Sequence, residues 1–345
     1  MRILVWLEKS EVRGGIEVFA ERHVAQLRAE GHDVEVASGF SHKERKDAFD
    51  EIIVHKCTDV ATLEKFPPEK TVYYVHDHEP ICPRGYAYTP LKRNCTRAGG
   101  VWPCIFCAPA CRSWKAALGR VFSQKRRIAA MSKFRKIVVI SEFMKSRLVA
   151  NGIPGEKVVV EPPVLDILNA EAQRRGDGEG SASLGTRSAR LGRVPTGCDH
   201  PQGAATRLCV EKIDLLYVGQ LIRGKGVQLL LEAMARMKAK RSLDIVGTGN
   251  MEGELKSIAV RLGLSGRVRF NGFQKNPQEW MRRAACVVVP SFWQEPYGLV
   301  AAEAVALGRK VVAFAIGGLP EACKGKATLV PPGDVAALAE ALELP

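Results

Sequence analysis

Two glutamates eight residues apart, in EPYGLVAAE (295–303), are the first residues whose types and spacing suggest chemistry. Upstream, ACVVVPS (285–291) reads as a short buried strand. Downstream, Leu299, Val300, Ala302, Ala304, Val305, Ala306 and Leu307 are good helix or core residues, and Gly308 is a stop. Pro296 suits the first position of that helix, because its missing N–H would go unpaired there anyway. Glu295 is thereby predicted at a strand-to-helix turn, with Glu303 about two turns along the helix. At ~1.5 Å rise per residue the carboxylates are on the order of 12 Å apart along the axis, too far to share a proton. The spacing suits two ends of one elongated ligand, with the N–H groups of Gly298 and Leu299 between them to receive an anion. It does not suit the paired carboxylates of glycoside hydrolysis.

Other polar groups occupy equivalent turns. Arg13-Gly14-Gly15-Ile16 follows the first strand and opens the first helix, where two glycines let a phosphate approach the positive end of the helix dipole. An ordinary Gly-rich turn would read the same. The full G-x-G-x-x-G pattern is absent, so no nicotinamide or flavin role is supported. GQLIRGKG (219–226) offers Arg223 and Lys225 near another helix start, placed to clamp a diphosphate, although loop cations are as a rule simply solvated. In YYVHDHEPICPRG (73–85), His76, Asp77 and His78 end a buried strand, where an imidazole can donate to a phosphate or sugar oxygen or serve as a structural histidine.

Cysteines cluster at Cys82, Cys95, Cys104, Cys107 and Cys111. The run C-x2-C-x3-C has thiolate metal spacing, completed by Cys82 or Cys95, and makes a candidate structural Zn²⁺ site. The second C-x2-C of a standard zinc module is missing, and free or redox-labile thiols are the competing reading. RSWKAALGRVFSQKRRIAAMSKFRK (112–136) carries nine Lys or Arg and no acid. Trp114, Leu118, Val121, Ile128 and Met131 fall roughly on one helical side, which suits either an anionic membrane surface or a core with a solvated basic back. No recognised DNA- or RNA-binding motif accompanies the patch, so nucleic acid ranks well below both.

The elements that must position these groups alternate. RILVWL, DVEVAS, EIIVHK, TVYYVHD, KIVVIS and KVVVEPP read as buried strands, with helices from about residues 16–30 and 142–151. IDLLYVG, SLDIVG, VRFNG, CVVVPS and KVVAFA continue the pattern later, with helices at 227–238, 252–262, around Trp280, after Glu295 and in DVAALAEAL. Apolar strands alternating with helices predict α/β structure with parallel sheets covered on both faces. Between them, about 166–210 is rich in Gly, Ser, Arg and Pro without apolar period, as expected of a flexible linker or insertion. The expected organisation is therefore two doubly wound Rossmann-like domains, 1–165 and 211–345, facing a cleft at the C-terminal edges of their strands.

Composition narrows the setting. A chain of 345 residues with 46% hydrophobic content has room for two cores. A net charge of +14 implies an anionic partner, whether phosphorylated substrate, membrane surface or nucleic acid. No run reaches the roughly 18 apolar residues of a membrane span, and MRILVWL reads as a first strand rather than a secretion signal. Ten scattered cysteines are too sparse for a disulfide scaffold, so a reducing cytoplasm is the expected compartment.

GGIE, GQLIRGKG, VRFNGF, EPYGLVAAEAVALGRKVVAF, GGLPE and LVPPGD, in this order, resemble the family-4 retaining glycosyltransferases of GT-B fold (glycosyl transferases group 1), in a subgroup with a cysteine cluster in the N-terminal domain. The resemblance covers nearly the whole chain except 170–208. It implies transfer of a sugar from a nucleoside-diphosphate sugar to an acceptor hydroxyl with retained anomeric configuration, in envelope or exopolysaccharide glycan synthesis. Glu303 would bind the nucleotide ribose and Glu295 the sugar hydroxyls, with backbone N–H groups at Gly298 and Leu299 meeting the phosphates. Gly14 and Gly15 would approach the diphosphate, Arg223 and Lys225 would neutralise it, His76 would lie beside the donor, and Gly272 and Phe273 near the base. No visible motif requires a cofactor for this catalysis. The basic 112–136 stretch favours a glycan or lipid-linked acceptor over a small soluble one, with the enzyme expected in the cytoplasm, either free or peripheral at the inner face of the membrane. The chain departs from the family at Gln220, where an arginine is common, so that Arg223 would supply that charge. It also ends at Pro345, before the terminal helix that commonly crosses back, so either weaker domain closure or a truncated product is expected. A sugar-nucleotide epimerase of the same fold and a donor-binding inactive homologue are the rival readings. A phosphorylase-like reading would require a lysine-bound pyridoxal phosphate.

Overall fold

The computed structural model describes residues 1–8, 15–38, 48–82, 94–95, 104, 114–163, 165 and 212–343. Gly14, Cys107, Cys111 and the predicted linker at 166–210 lie outside the described residues.

The alternation read from the sequence becomes two six-stranded sheets with every pairing parallel. The first is built by β1 (Arg2–Leu7), α1 (Gly15–Ala29), β2 (Asp33–Ala37), β3 (Glu51–Lys56), α2 (Val60–Leu63), β4 (Thr71–Val75), α3 (Trp114–Met131), β5 (Lys136–Val139), α4 (Glu142–Val149) and β6 (Val158–Val160). The second is built by β7 (Ile213–Val218), α5 (Val227–Arg236), β8 (Leu243–Val246), α6 (Glu252–Arg261), β9 (Val268–Phe270), α7 (Pro277–Arg283), β10 (Ala284–Val289), α8 (Leu299–Ala306), β11 (Lys310–Phe314), α9 (Leu319–Cys323), β12 (Thr328–Val330) and α10 (Val335–Glu343).

Strand order is β2-β1-β3-β4-β5-β6 in the first sheet and β12-β11-β10-β7-β8-β9 in the second. The order reverses between β1 and β3 and between β7 and β10. At such a switch point the loops leaving adjacent strands diverge, and a crevice opens at their carboxyl ends. The chain leaves β1 toward Gly15, β7 toward GQLIRGKG and β10 toward Glu295, so the predicted site loops share these two crevices.

Both faces of each sheet are buried, which is why the strands read as continuous apolar runs. In β1, Leu4 and Trp6 join Phe49, Ile52, Met131 and Phe134, while Ile3 and Val5 pack with Val24, Leu27 and Ile53 on the opposite face. The predicted stripe on α3 turns inward, for Val121 and Met131 are buried, and with them Gln124 and Arg127. Arg127 forms an ion pair with Glu79 at 3.2 Å and also donates to the carbonyl of Thr58. The side chains of Trp114 and Leu118 are not described. Phe122 is the exposed aromatic of this helix among the described residues.

One predicted boundary is wrong. Pro296 does not open a helix, because α8 begins at Leu299 behind Gly298, whose φ is +107°. The carbonyls of Glu295 and Pro296 are instead bonded to Gly318 N (2.8 Å) and Ser141 Oγ (2.5 Å). These tertiary partners keep residues 296–298 out of the helix. The axial spacing inferred for a helix containing both glutamates therefore does not apply.

Candidate functional site

Glu295 lies in the loop after β10 with its carboxylate buried. Oε1 accepts from Lys225 Nζ at 2.6 Å, Ser291 Oγ at 2.7 Å and Trp293 Nε1 at 2.8 Å. Burial alone would push this carboxyl up. The adjacent ammonium and the three donors outweigh it and leave the group below its usual range. Lys225 Nζ also sits 5.3 Å from the centroid of the Trp293 ring, a cation–π contact that orients it further. Lys225 closes a 3₁₀ turn (Arg223–Lys225) that ends at Gly226, with φ of +73°. A Cβ at Gly226 would come within 1.8 Å of the Pro290 carbonyl, so the loops after β7 and β10 touch backbone to backbone there.

Glu303 lies on α8, where Gln278 Nε2 donates to Oε1 at 3.3 Å and Arg22 of α1 stands 3.9 Å away. Burial pushes its carboxyl up, opposed by Arg22 and Gln278. A Cβ on Gly15 would lie 3.9 Å from Leu299 Cδ1, so the start of α1 and the start of α8 are neighbours. Gly298 is the residue before α8, and no side chain caps that helix. A Cβ there would meet Leu319 Cδ2 at 2.4 Å.

The predicted residues thus divide. Lys225, Glu295, Gly298, Leu299, Glu303 and Gly15 surround the β7/β10 crevice and its neighbour α1. Arg223 is not brought to them, being half exposed and paired with Glu254 at 3.3 Å. Gln220 is exposed, with its carbonyl accepting from Tyr217 OH at 2.8 Å. Gly272 accepts at its carbonyl from Gly247 N at 2.7 Å, and Phe273 beside it is 70% exposed. His76 follows β4, and its Nε2 lies 3.0 Å from His55 Nδ1. Burial, with His23 nearby, pushes His76 down to about 3. Asp77 beside it is pushed up to about 6 by burial.

Several contributors were not visible in the motifs. Ser291 and Trp293 lie four and two residues before Glu295 in the loop after β10, where a bend at Trp293 turns both side chains onto the Glu295 carboxylate. Arg22 follows Gly15 by seven residues, two turns along α1. Gln278, which steadies Glu303, carried no such signal. His78 is buried and donates from Nε2 to the Gln294 carbonyl at 2.8 Å, joining the loop after β4 to the loop bearing Glu295.

The cysteines remain partly outside view. Cys82, Cys95 and Cys104 are half buried, and among the described residues no three His, Cys, Asp or Glu converge as a metal site. No described helix is long and apolar enough to cross a membrane.

Comparison with known proteins gives this geometry its context. Residues 212–344 match the family model of glycosyl transferases group 1. The whole architecture superposes on the crystal structure of Anabaena Alr3699/HepE in complex with UDP and glucose, at a TM-score of 0.64 and 18% identity, over 99% of this chain and 89% of that one. WaaG, a glycosyltransferase involved in lipopolysaccharide biosynthesis, matches at a TM-score of 0.58 and 15% identity, over 99% and 89%. The fold is GT-B. Among curated relatives, a D-inositol 3-phosphate glycosyltransferase of Streptomyces scabiei is 33% identical over 198 residues, 55% of this chain and 40% of that protein. The uncharacterized glycosyltransferase MJ1607 of Methanocaldococcus jannaschii is 37% identical over 114 residues, 32% of this chain and 29% of that one. The chain spans less than half the length of these curated relatives. The matched segment holds Lys225, Glu295 and Glu303, while Gly15 and Arg22 come from α1 and His76 from the loop after β4.

Proposed function

We propose that this protein transfers a sugar from a nucleoside-diphosphate sugar to an acceptor hydroxyl, with retention at the anomeric carbon. The observation that carries the proposal is the Glu295 carboxylate, held ionised by Lys225, Ser291 and Trp293 beside the uncapped start of α8. Solved GT-B neighbours bearing UDP and UDP-glucose support a nucleotide-sugar donor.

Glu295 holds the sugar hydroxyls and Glu303 the ribose, with Gln278 keeping the second carboxylate in place. The diphosphate lies against the N–H groups of Gly298 and Leu299, near Gly15. Lys225 stabilises the charge that grows on it as the glycosidic bond breaks. Losing one such preorganised donor costs ~3 kcal/mol in well-studied sites. Arg223 assists only after leaving Glu254, and His76 contacts the donor sugar. Phe273 offers an exposed ring for the base, next to Gly272. The leaving phosphate takes the acceptor proton, so no second carboxylate is needed.

Relatives named as an inositol phosphate glycosyltransferase and an exopolysaccharide phosphotransferase support a glycan or other phosphate-bearing acceptor in envelope or exopolysaccharide synthesis. Peripheral membrane binding rests on the basic residues of α3 and on Phe122, since Val121 and Met131 face the core. Equal co-sedimentation with neutral and anionic vesicles would remove it. A structural zinc rests on the Cys104, Cys107 and Cys111 spacing alone, and metal analysis of purified protein decides it.

The deciding experiment is thermal unfolding of wild type and Glu303→Ala with UDP, GDP, ADP and TDP and their sugars. A ligand at ~100 times its dissociation constant stabilises by about 2.7 kcal/mol. One nucleotide raising the midpoint of wild type and not of the variant supports the donor site. No shift with any nucleotide means a folded chain without a working donor site and overturns the transferase reading.

A further inference from the structure

His23 on α1, His55 on β3 and His76 after β4 form a line of rings. His23 Nδ1 lies 3.1 Å from His55 Nε2, and His55 Nδ1 lies 3.0 Å from His76 Nε2. Phe19 touches the edges of all three rings, at centroid distances of 6.3, 5.7 and 4.9 Å in the same order. Tyr74 stands 4.9 Å from His23 and 4.8 Å from His55. The rings meet in sequence rather than converging on a point, which is the geometry of a hydrogen-bonded relay and not of a metal site.

Each N···N contact needs one donor and one acceptor, and a neutral imidazole has one of each. Burial pushes all three groups below their ordinary value and so favours neutral rings. Only two arrangements then satisfy both contacts. Either every ring carries its proton on Nδ1, or every ring carries it on Nε2. His55 cannot accept from both sides, since it would then have no proton. The three tautomers are locked in step. Because Nε2 of His76 is committed to His55, Nδ1 is the nitrogen left for a ligand.

We propose that His23 and His55 are positioning residues that set whether Nδ1 of His76 donates to or accepts from a sugar oxygen of the donor. The role of His76 rests on the transferase reading above, whereas the lock-step of the three rings does not. His23 is the partly exposed end, faced by Glu30 just past the end of α1, Glu51 at the start of β3, Glu161 beyond β6, and the rings of Tyr74 and His55. A proton taken up there obliges Nδ1 of His23 to donate. That fixes the Nδ1–H form along the line and makes His76 a donor.

The test is long-range ¹H–¹⁵N spectroscopy of the full chain labelled at histidine, titrated through the range where His23 ionises. The expected result is that His55 and His76 share one tautomer at every pH and are both Nδ1–H once His23 is protonated. Opposite tautomers in the two rings, or an Nε2–H form of either with His23 protonated, would overturn the proposal. His23→Phe, at the tolerant end, is expected to abolish the pH dependence of the His76 tautomer with the midpoint of unfolding preserved. Unchanged His76 signals in that variant count equally against it. With UDP-glucose as probe, the variant is expected to keep UDP affinity within about twofold and lose about tenfold in transfer, the lower end of the cost of removing an orienting partner at metal-bound histidines. A chain that binds no nucleotide would sink the transferase reading, while the spectra would still decide the relay.

Discussion

Glu295 is buried and Glu303 half-buried, and in each the donors around the carboxylate oppose burial; they win at Glu295 and lose at Glu303. Glu295 is held low by Lys225, Ser291 and Trp293, so it contributes stability that is present above the ordinary carboxylate range and lost as pH falls through its lowered value. Lys225→Met should therefore cost about 3 kcal/mol in urea unfolding at pH 7, toward the lower end of the range for an orphaned buried charge because Lys225 is 24% exposed. It should also flatten the acid limb of the stability curve. Glu303 is pushed up, so its contribution is present at low pH and lost as pH rises through its raised value. Glu303→Gln is expected to unfold at a higher temperature than wild type at pH 7, with the difference vanishing in acid. If Glu303 holds ribose hydroxyls, nucleotide binding should release protons wherever Glu303 is partly protonated, which calorimetry across a pH series in buffers of different ionisation enthalpy would detect. The paired glutamates were legible from their motif. The opposite electrostatics were not, because the balance of burial against donors is set by residues from other elements, three close donors at Glu295 and the more distant Gln278 and Arg22 at Glu303.

At the scale of elements, α4 shows how the two halves are joined. Its first N–H groups are satisfied from two sources. Ser141 accepts from Met144 N at 3.1 Å, while the Glu321 carboxylate of α9 accepts from Glu142 N at 2.7 Å and Phe143 N at 2.8 Å. Ser141 also donates to the Pro296 carbonyl. A helix start in the first half is thus capped from the second. Glu321→Ala should cost about 1 kcal/mol, the usual value of a cap, and speed hydrogen exchange at Glu142 and Phe143 before exchange elsewhere in α4. Protection unchanged at those two amides would refute the cap. Gly298→Ala is expected to cost on the order of 2 kcal/mol, since both the left-handed backbone and the Leu319 contact oppose a side chain. The late start of α8 escaped the sequence reading because local propensity favours a helix from Pro296. The bonds that prevent it, Ser141 to Pro296 and Gly318 to Glu295, span 155 and 23 positions of the chain.

For the whole molecule, two sheets with separate cores are joined by a few polar contacts and a small apolar cluster of Ile140, Tyr297, Ala302 and Ala322. Phe134→Ala in the first core should cost about 3–5 kcal/mol. Hydrogen exchange should show that loss in β1, β3, β4 and β5 and leave the amides of β7, β8 and β10 protected. Loss spread evenly over both sheets would mean that the halves unfold as one unit.

Period and composition were sufficient for the strands, most helices, the parallel α/β class and the candidate donor loops. Each of those features depends on residues adjacent in the chain, where apolar runs and turn residues act through local geometry. What only the tertiary structure decided depends on contacts across the chain. It turned the apolar side of α3 inward, paired Arg223 with Glu254 rather than with the crevice, set Lys225 on Glu295, and aligned three histidines from a helix, a strand and the loop after another strand. A one-dimensional pattern specifies which face of an element is apolar. The partner that satisfies a buried charge or a ring nitrogen is chosen by the packing that brings distant elements within hydrogen-bonding distance.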